Sequence, residues 1–370
     1  MSRPLYRQRW AWVEGRRTVR QETIPDVESA DFALSTLADR GLLTTRQLAD
    51  FQDATGLADL AWRTFWSRTA LAKADGNFRS LLRRTQGFVI FMHGWDASGE
   101  VWEHLPALTC AANPRLVALT PDLNGFGGSP FLAEVPALEQ CDPYAMIQSV
   151  VYWVHMLGLR SSARARRRRR VITFVGHSMG GAALFYLEKE TWHPNEFARC
   201  AVAPALLINE ELRQEFYQAL GIGLRADRSV DALERIKSRL TARVVENLLG
   251  DASDLTLAEH LSVFEQMPKS MLAQTFYAMG IVPRELTSEQ WHNFRVILAR
   301  DDRVVNVSHL LNTLYDLGFV SSQIQVVWGD HYLFSVGDQN RRIHLRNREI
   351  VLGAILHLHE ICRERQESSS

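Results

Sequence analysis

The sequence predicts an α/β fold in which a mostly parallel central sheet is flanked by helices. Two patterns predict this class: short apolar runs rich in β-branched and aromatic residues, and amphipathic helical segments between them. Because parallel strands must be joined by long crossovers, this alternation of strands and helices favours a parallel sheet. At 370 residues the chain is longer than a typical domain, so an insertion within the main domain is expected.

The predicted sheet strands are short runs of mainly apolar residues, without the regular polar positions of a strand that has one face in solvent. Runs of this kind indicate strands that are buried on both faces. They occupy residues 88–92, 116–119, 171–175, 200–203, 296–298 and 324–328. Such sheets bind their ligands at the carboxyl ends of the strands, so functional residues are expected there.

The segment before the first buried run is predicted to contain a hairpin and then a helical addition. Residues 1–24 partly alternate in polarity around a Glu-Gly pair, which predicts two short strands of the core. Residues 25–86 are predicted to be helical. Helical spacing occurs at 32–37, 43–51 and 57–72. The aromatic residues Trp62, Phe65 and Trp66 are expected to dock this addition on the core.

A second helical segment, residues 209–285, is predicted to be a cap inserted into the core. It contains amphipathic helical patterns and no convincing strand, whereas strands are predicted on both sides of it. The core would therefore consist of residues 87–208 and 286–370. An insertion at this point is placed to cover the strand ends as a lid, and its apolar, methionine-containing composition favours a hydrophobic substrate.

The charge balance favours no highly charged partner. Lysine and arginine together equal aspartate and glutamate, 42 each, so the whole molecule has no strong field for nucleic acid or an anionic membrane. Arg164 and the run from Arg166 to Arg170 are the local exception. Such a block is typical of a solvated loop, and nucleic acid binding is the alternative interpretation. No signal peptide and no membrane-length apolar run is evident, so a cytoplasmic protein is expected.

No metal site is predicted. The four cysteines are widely spaced without a metal-ligand pattern, and they are interpreted as buried small apolar residues. His357 and His359 lie two positions apart on the predicted final helix. Residues at this spacing point in different directions, so both are expected at the surface instead of in a metal pair.

The motif Gly-His-Ser-Met-Gly at residues 176–180 predicts a nucleophilic serine, Ser178. It follows the apolar run at 171–175 and precedes an Ala-Ala-Leu segment, which is the strand-to-helix context that a G-x-S-x-G elbow requires. The sharp turn exposes the serine, and the flanking glycines leave room for the neighbouring strand and helix. The free N–H groups at the following helix start would favour developing negative charge.

A serine hydroxyl is a weak nucleophile, so it needs a base and a carboxylate that orients the base. Asp301 and Asp302 both follow the apolar run at 296–298, where such an acid belongs, and the two compete for the role. His331 lies just beyond the last predicted strand and is the candidate base.

These motifs together resemble the α/β-hydrolase family over roughly residues 86–205 and 290–362. Gly-Phe-Val-Ile-Phe-Met-His-Gly-Trp at 87–95 resembles the strand and His-Gly oxyanion loop of the family, and Pro-Asp-Leu-Asn-Gly-Phe-Gly-Gly-Ser at 121–129 resembles its D-x-x-G-x-G-x-S loop. The order of serine, aspartate and histidine is also that of the family. An acid directly before Arg-Val-Val matches the acid motif of the family and selects Asp302 over Asp301.

The resemblance implies a catalytic triad of Ser178, Asp302 and His331, with the backbone N–H groups of Trp95 and Met179 as the oxyanion hole. The implied function is hydrolysis of an ester-type acyl bond in a small substrate through an acyl-enzyme. An acyltransferase or a hydrolase of C–C bonds would use the same triad, and a non-catalytic ligand-binding relative is a further alternative. No cofactor, nucleic acid partner or membrane span is expected, and the sequence defines no oligomeric state.

Overall fold

The computed structural model describes residues 24–159, 170–187, 196–206, 248–281, 286 and 292–368. The hairpin that is predicted within residues 1–24 lies outside the described residues, with the exception of Ile24. The arginine run also lies outside them, except for Arg170.

An eight-stranded, mostly parallel sheet forms the centre of the molecule, as the sequence predicts. Its strands are β1 (Val27–Ala33), β2 (Ala61–Ser67), β3 (Gly87–Met92), β4 (Leu116–Pro121), β5 (Val171–His177), β6 (Phe197–Val202), β7 (Phe294–Ala299) and β8 (Ile324–Val327). They lie in the order β1-β2-β4-β3-β5-β6-β7-β8. All neighbours from β4 to β8 pair in parallel, whereas β1 with β2 and β2 with β4 pair antiparallel. Every residue of β3, β4, β5 and β6 is buried, which accounts for their unbroken apolar runs.

The helical interpretation of residues 57–72 is wrong for residues 57–67, because residues 57–60 are not helical and residues 61–67 form strand β2. The interpretation of 32–37 is similarly wrong for its first two residues, since β1 continues to Ala33. Trp62 packs edge-on against Trp153, with ring centroids 5.2 Å apart, so the aromatic residues do dock on the core as predicted. They do so from a strand, because pairing with β1 and β4 overrides their approximate helical spacing.

Twelve α-helices are present in the described part of the chain. They are α1 (Leu34–Asp39), α2 (Thr45–Thr55), α3 (Arg68–Lys73), α4 (Phe78–Arg84), α5 (Leu105–Ala112), α6 (Leu138–Cys141), α7 (Pro143–Met156), α8 (Met179–Ala183), α9 (Asp254–Gln266), α10 (Lys269–Ile281), α11 (Val307–Asp316) and α12 (Arg341–Ser368). Local signals explain several of their starts: Thr44 caps α2 through a capping box with Gln47, and Asp142 accepts a hydrogen bond from the Ala145 N–H at the start of α7. None of the described helices is long and apolar enough to cross a membrane.

The C-terminal helix α12 packs its apolar stripe against the sheet and buries one residue that was expected at the surface. His357 is exposed as predicted, but His359 is 1% exposed and its Nδ1 lies 3.3 Å from the Thr173 hydroxyl. A Cβ atom at Gly87 would come within 2.3 Å of the His359 ring. The missing side chain at Gly87 therefore makes the space that the imidazole occupies. All four cysteines are buried, as expected.

Helices α9 and α10 belong to the predicted cap insertion. The Trp95 indole N–H lies 3.0 Å from the hydroxyl of Thr275 on α10, and the Trp95 ring packs edge-on against Phe276. The described part of the insertion therefore contacts the loop that follows β3.

Candidate active site

Ser178 lies at the sharp turn between β5 and α8. Its backbone has φ 53° and ψ −117°, a conformation that is strained for any residue with a side chain. The turn is anchored by two hydrogen bonds, from the Ser178 N–H to the Val202 carbonyl at 3.1 Å and from the Ala205 N–H to the Ser178 carbonyl at 2.9 Å. Pairing with β6 thus holds the strained serine at the carboxyl edge of the sheet.

The glycines on either side of Ser178 are required by close backbone approach. A Cβ atom at Gly176 would lie 2.2 Å from the Gly180 carbonyl oxygen, and one at Gly180 would lie 2.5 Å from the His93 carbonyl oxygen. Neither residue has a positive φ. Their role is therefore to allow the helix start to pack directly on β5 and on the end of β3, as the motif predicts.

His331 is buried and its Nδ1 lies 2.8 Å from the Asp302 Oδ2 atom. The other carboxylate oxygen, Oδ1, accepts hydrogen bonds from the backbone N–H groups of Val304 and Val305 at 2.8 and 3.0 Å. Asp301 is exposed, and its Oδ2 lies 3.4 Å from the Gly329 N–H. Of the two adjacent acids, the fold places Asp302 beside the histidine.

The hydrogen bond to Asp302 assigns the proton of the neutral imidazole to Nδ1 and leaves the lone pair on Nε2. His331 Nε2 is buried and has no hydrogen-bond partner within the described chain, so the Ser178 hydroxyl is not bonded to it. Such bonds are often long in enzymes without substrate and form in the substrate complex. A neutral imidazole with a free lone pair on Nε2 is the form that can accept the proton of a hydroxyl group.

The loop after β3 passes directly over the serine. A Cβ atom at Gly94 would lie 2.9 Å from the Ser178 Cβ and 3.4 Å from its Oγ, so only glycine allows this approach. The His93 ring fixes the loop: its Nδ1 donates to the Gly94 carbonyl at 2.7 Å, and its Nε2 accepts from the Leu123 N–H at 2.8 Å. Burial lowers the pKa of His93 to about 4, which keeps this ring neutral.

His177 ties the serine turn to the loop of the candidate base. Its Nε2 donates to the His331 carbonyl at 3.0 Å, and its ring packs against that of His331 with centroids 4.8 Å apart. Burial holds the pKa of His177 well below its usual range. His93 and His177 are therefore positioning groups in the described structure, as expected from their places in the motifs.

The loop at residues 121–129 is organised by the Asp122 carboxylate. Its oxygens accept hydrogen bonds from the N–H groups of Gly99 and Gly128, both at 2.8 Å. The Ser129 hydroxyl accepts from the Ala61 N–H on β2 at 2.8 Å. Burial raises the pKa of Asp122 despite these bonds. The aspartate and serine of this motif therefore join loops around the site.

Several polar residues at the site carry no sequence pattern that predicts them. His260 on α9 is fully buried, and its Nε2 lies 2.6 Å from the hydroxyl of Tyr332, the residue after His331. Its Nδ1 lies 3.6 Å from Oδ2 of Asp96, the residue after Trp95. A lone histidine and a lone aspartate carry no spacing signal, so only the packing of the insertion brings these three together.

Glu103 forms a buried polar cluster that is also absent from the sequence predictions. Its carboxylate pairs with Arg348 of α12 and accepts hydrogen bonds from three hydroxyl groups. The donors are Ser253 at 2.5 Å, Thr256 at 2.9 Å and Ser335 at 2.6 Å. The cluster thus connects the start of α9, the loop after His331 and the C-terminal helix.

Among the described residues no group of three or more histidine, cysteine or acidic side chains is arranged to hold a metal ion. The described site contains a strained serine, a histidine paired with a carboxylate, and the loop after β3 that lies against the serine. This arrangement is suited to nucleophilic attack on a carbonyl carbon.

The sequence matches a family model described as "Alpha/beta hydrolase family" over residues 89–338. This range includes the serine, both adjacent aspartates and His331. A search of curated proteins gives no match.

Solved structures share the fold at low sequence identity. A bromoperoxidase from Bacillus anthracis is 14% identical, with a TM-score of 0.54, and the alignment covers 81% of this chain and 95% of that one. A thermophilic esterase from Thermogutta terrifontis is 16% identical, with a TM-score of 0.52 and coverage of 80% and 94%. A peroxisomal alpha-beta-hydrolase from Saccharomyces cerevisiae is 14% identical, with a TM-score of 0.51 and coverage of 91% and 89%. At these identities the likeness concerns the fold.

Proposed function

Because this chain belongs to the alpha/beta hydrolase family, we propose that it is a serine hydrolase that cleaves an ester-type acyl bond of a small substrate. Ser178 is the nucleophile, His331 the general base and acid, and Asp302 the residue that orients His331. The observation that carries the proposal is the 2.8 Å hydrogen bond between Asp302 and His331 Nδ1, which leaves a buried Nε2 without a partner among the described residues.

In the first half of the reaction, His331 Nε2 takes the Ser178 proton as the serine Oγ bonds to the acyl carbon. The carbonyl oxygen becomes negatively charged in the tetrahedral intermediate, and the N–H groups of Trp95 and Met179 are the proposed donors to it. When the intermediate collapses, the bond to the leaving oxygen breaks and His331 gives that oxygen its proton. The acyl group remains on Ser178.

In the second half, His331 Nε2 takes a proton from water as the water oxygen attacks the acyl carbon. Collapse of this second intermediate breaks the bond to Ser178, returns the proton to Oγ and releases the acid. Burial of the site strengthens the electrostatic effect of the N–H donors, each of which typically contributes about 3 kcal/mol of transition-state stabilisation.

The proposed oxyanion hole is supported by the close approach of two backbone segments. Gly94, directly before Trp95, lies against Ser178, and Met179 begins helix α8. We also propose that residues 209–285 act as a cap. The contacts of Trp95 with Thr275 and Phe276 support this role, because they join the insertion to the loop that would hold the carbonyl oxygen. The apolar character of Phe276 agrees with a hydrophobic substrate.

The test is release of p-nitrophenol from acetyl to octanoyl esters by the purified protein and by Ser178→Ala. We expect the variant to lose at least about 10³-fold in kcat. Ser308→Ala, which changes an exposed serine on α11, is the matched control and should keep the activity of the unmodified protein.

A fluorophosphonate probe provides a second readout of the same proposal. It should label the unmodified protein and Ser308→Ala, but not Ser178→Ala. Absence of both esterase activity and labelling in the unmodified protein would contradict the proposal and favour a non-catalytic ligand-binding role.

A further inference from the structure

Asp96, on the loop after β3, is a buried carboxyl that takes no part in the proposed reaction. It is 0% exposed, and its backbone has φ 55°, a strained value for a residue with a side chain. Neither Oδ1 nor Oδ2 has a hydrogen-bond partner among the described residues. An unsatisfied buried polar group destabilises the folded state, and native structures contain few of them. A carboxyl left in this state calls for a functional explanation.

The neighbours of Asp96 leave its carboxyl unsatisfied. His260 Nδ1 is 3.6 Å from Oδ2, which is longer than a hydrogen bond, and its Nε2 is occupied by the Tyr332 hydroxyl. The nearby Glu259 carboxyl contacts the Ser98 hydroxyl at 2.5 Å and not Asp96. His260 therefore bonds to Tyr332 and not to the Asp96 carboxyl, and both oxygens of Asp96 lack a hydrogen-bond partner among the described residues.

The position of Asp96 relates it to the reacting atoms. It is two residues after Gly94, which lies against Ser178, and it directly follows Trp95. Consecutive Cα atoms are about 3.8 Å apart, so the Asp96 backbone lies next to the Trp95 N–H group that is proposed to hold the carbonyl oxygen. The leaving oxygen must face His331, which protonates it. The acyl group is therefore expected on the side of the loop that contains Trp95 and Asp96. The bound group would then be on the first or second carbon beyond the carbonyl.

The charge environment defines the chemistry of that group. Burial raises the pKa of Asp96 well above its usual range, and the neighbouring Glu259 carboxyl acts in the same direction. A protonated carboxyl both donates and accepts hydrogen bonds, which suits an uncharged hydroxyl. A second carboxylate would be disfavoured next to Glu259, and an ammonium group would require Asp96 to ionise in a buried place.

We propose that Asp96 is a specificity-determining residue that binds a hydroxyl group on the first or second carbon of the acyl chain, so that the preferred substrates are esters of hydroxy acids. This inference rests on the proposed serine-hydrolase function and deepens it by naming the acyl class.

Three p-nitrophenyl esters of nearly identical shape test the proposal. Isobutyryl, lactyl and alanyl esters carry a methyl, a hydroxyl and an ammonium group at the same carbon, and isovaleryl and 3-hydroxybutyryl esters repeat the first comparison one carbon further. The readout is the ratio of kcat/KM for the hydroxy ester to that for its methyl isostere. Comparing this ratio between variants cancels the intrinsic reactivity of each ester.

Asp96→Leu and Asp96→Asn form a matched pair for this experiment. Leucine keeps the size of the side chain without its hydrogen bonds, whereas asparagine keeps a donor and an acceptor without a titratable proton. In at least one of the two ester pairs, we expect Asp96→Leu to lower the hydroxy-to-methyl ratio by about tenfold or more, and Asp96→Asn to keep it within about threefold. A ratio that Asp96→Leu leaves unchanged in both pairs, or a preference for the alanyl ester, would overturn the proposal.

A binding experiment separates this inference from the proposed function. Lactamide and isobutyramide, and the corresponding 3-hydroxybutyramide and isovaleramide, are titrated by calorimetry into Ser178→Ala and into Ser178→Ala with Asp96→Leu. Tighter binding of a hydroxy amide, lost with Asp96→Leu, would support the inference whether or not any ester is hydrolysed. Equal binding of both members of each pair would overturn it even in an enzyme whose activity depends on Ser178.

Discussion

The pair of acids after β7 illustrates how position within a loop decides the chemistry of a side chain. Asp301 and Asp302 are adjacent and chemically identical, but only Asp302 turns inward, where two backbone N–H groups hold one oxygen and His331 meets the other. Asp301 is exposed beside Gly329. The proposed orienting role therefore belongs to one residue of the two.

Asp302→Asn should lower kcat by about 10³- to 10⁴-fold, because an amide at this place favours the wrong tautomer of His331. Asp301→Asn is the control, and its kcat should stay within about twofold of the unmodified enzyme. The measurement is steady-state ester hydrolysis by both variants. The opposite ranking of the two variants would assign the role to Asp301.

His359 leads to a prediction about stability and pH that is independent of the active site. Burial lowers its pKa to about 4 in the folded protein, against 6.5 for an unperturbed histidine. Because the unfolded chain binds this proton first, the folded state keeps its full stability above pH 6.5 and loses it progressively as the pH falls toward 4.

We expect His359 to account for a loss of roughly 2–3 kcal/mol in unfolding free energy between pH 7.5 and pH 4.5. His359→Gln keeps a polar partner for Thr173 but does not titrate, so its stability should fall less over the same range. Urea unfolding at both pH values gives the comparison. The variant His357→Gln changes an exposed position on the same helix, and its unfolding free energy should fall with pH as much as that of the unmodified protein. Equal pH dependence of all three proteins would show that His359 is not the group responsible.

At the scale of secondary structure elements, the backbone at the start of α8 is in direct contact with the backbone of β5 and of the end of β3. The helix start can lie against two strands only because no side chain intervenes at Gly176 or Gly180. In strands β1 and β2, by contrast, the local sequence does not define the type of element. Their aromatic residues carry an ambiguous spacing, and pairing with β4 decides that β2 is a strand.

Gly180→Ala should destabilise the protein by roughly 3 kcal/mol or more, because its methyl group would meet the His93 and Met92 carbonyl oxygens at 2.5 Å. Gly353→Ala is the matched substitution on α12, where a methyl group meets nothing within 4 Å. It should stabilise the protein by about 0.5–1 kcal/mol through helix propensity. Chemical unfolding of both variants tests the two signs, and similar effects would contradict the packing described for the serine turn.

At the scale of the whole molecule, the Glu103 cluster joins parts that are distant in sequence. Glu103 and Arg348 are 245 positions apart, and the three hydroxyl groups come from the start of α9 and from the loop after His331. A buried carboxylate with this many partners holds α9, the loop after His331 and the C-terminal helix α12 in one arrangement.

Glu103→Gln should lower the unfolding free energy by about 3–5 kcal/mol, because it leaves the buried Arg348 guanidinium without its counter-charge. The control is Asp50→Asn, which removes a solvent-exposed ion pair with Arg46 and should change stability by less than about 0.5 kcal/mol. Urea unfolding at neutral pH measures both. A small effect of Glu103→Gln would mean that the cluster does not hold these parts together.

The sequence by itself determined the parallel sheet, the strained serine turn and the candidate histidine, since each has a local pattern. A strand that is buried on both faces must be apolar along its length, and the sharp turn requires glycines at given positions. The fold class is confirmed, whereas the triad stays a proposal. Strand β2, the buried His359 and the groupings of Asp96 with His260 and of Glu103 with Arg348 were decided only by tertiary structure. These depend on contacts between distant segments, for which a single side chain leaves no periodic signal in the sequence.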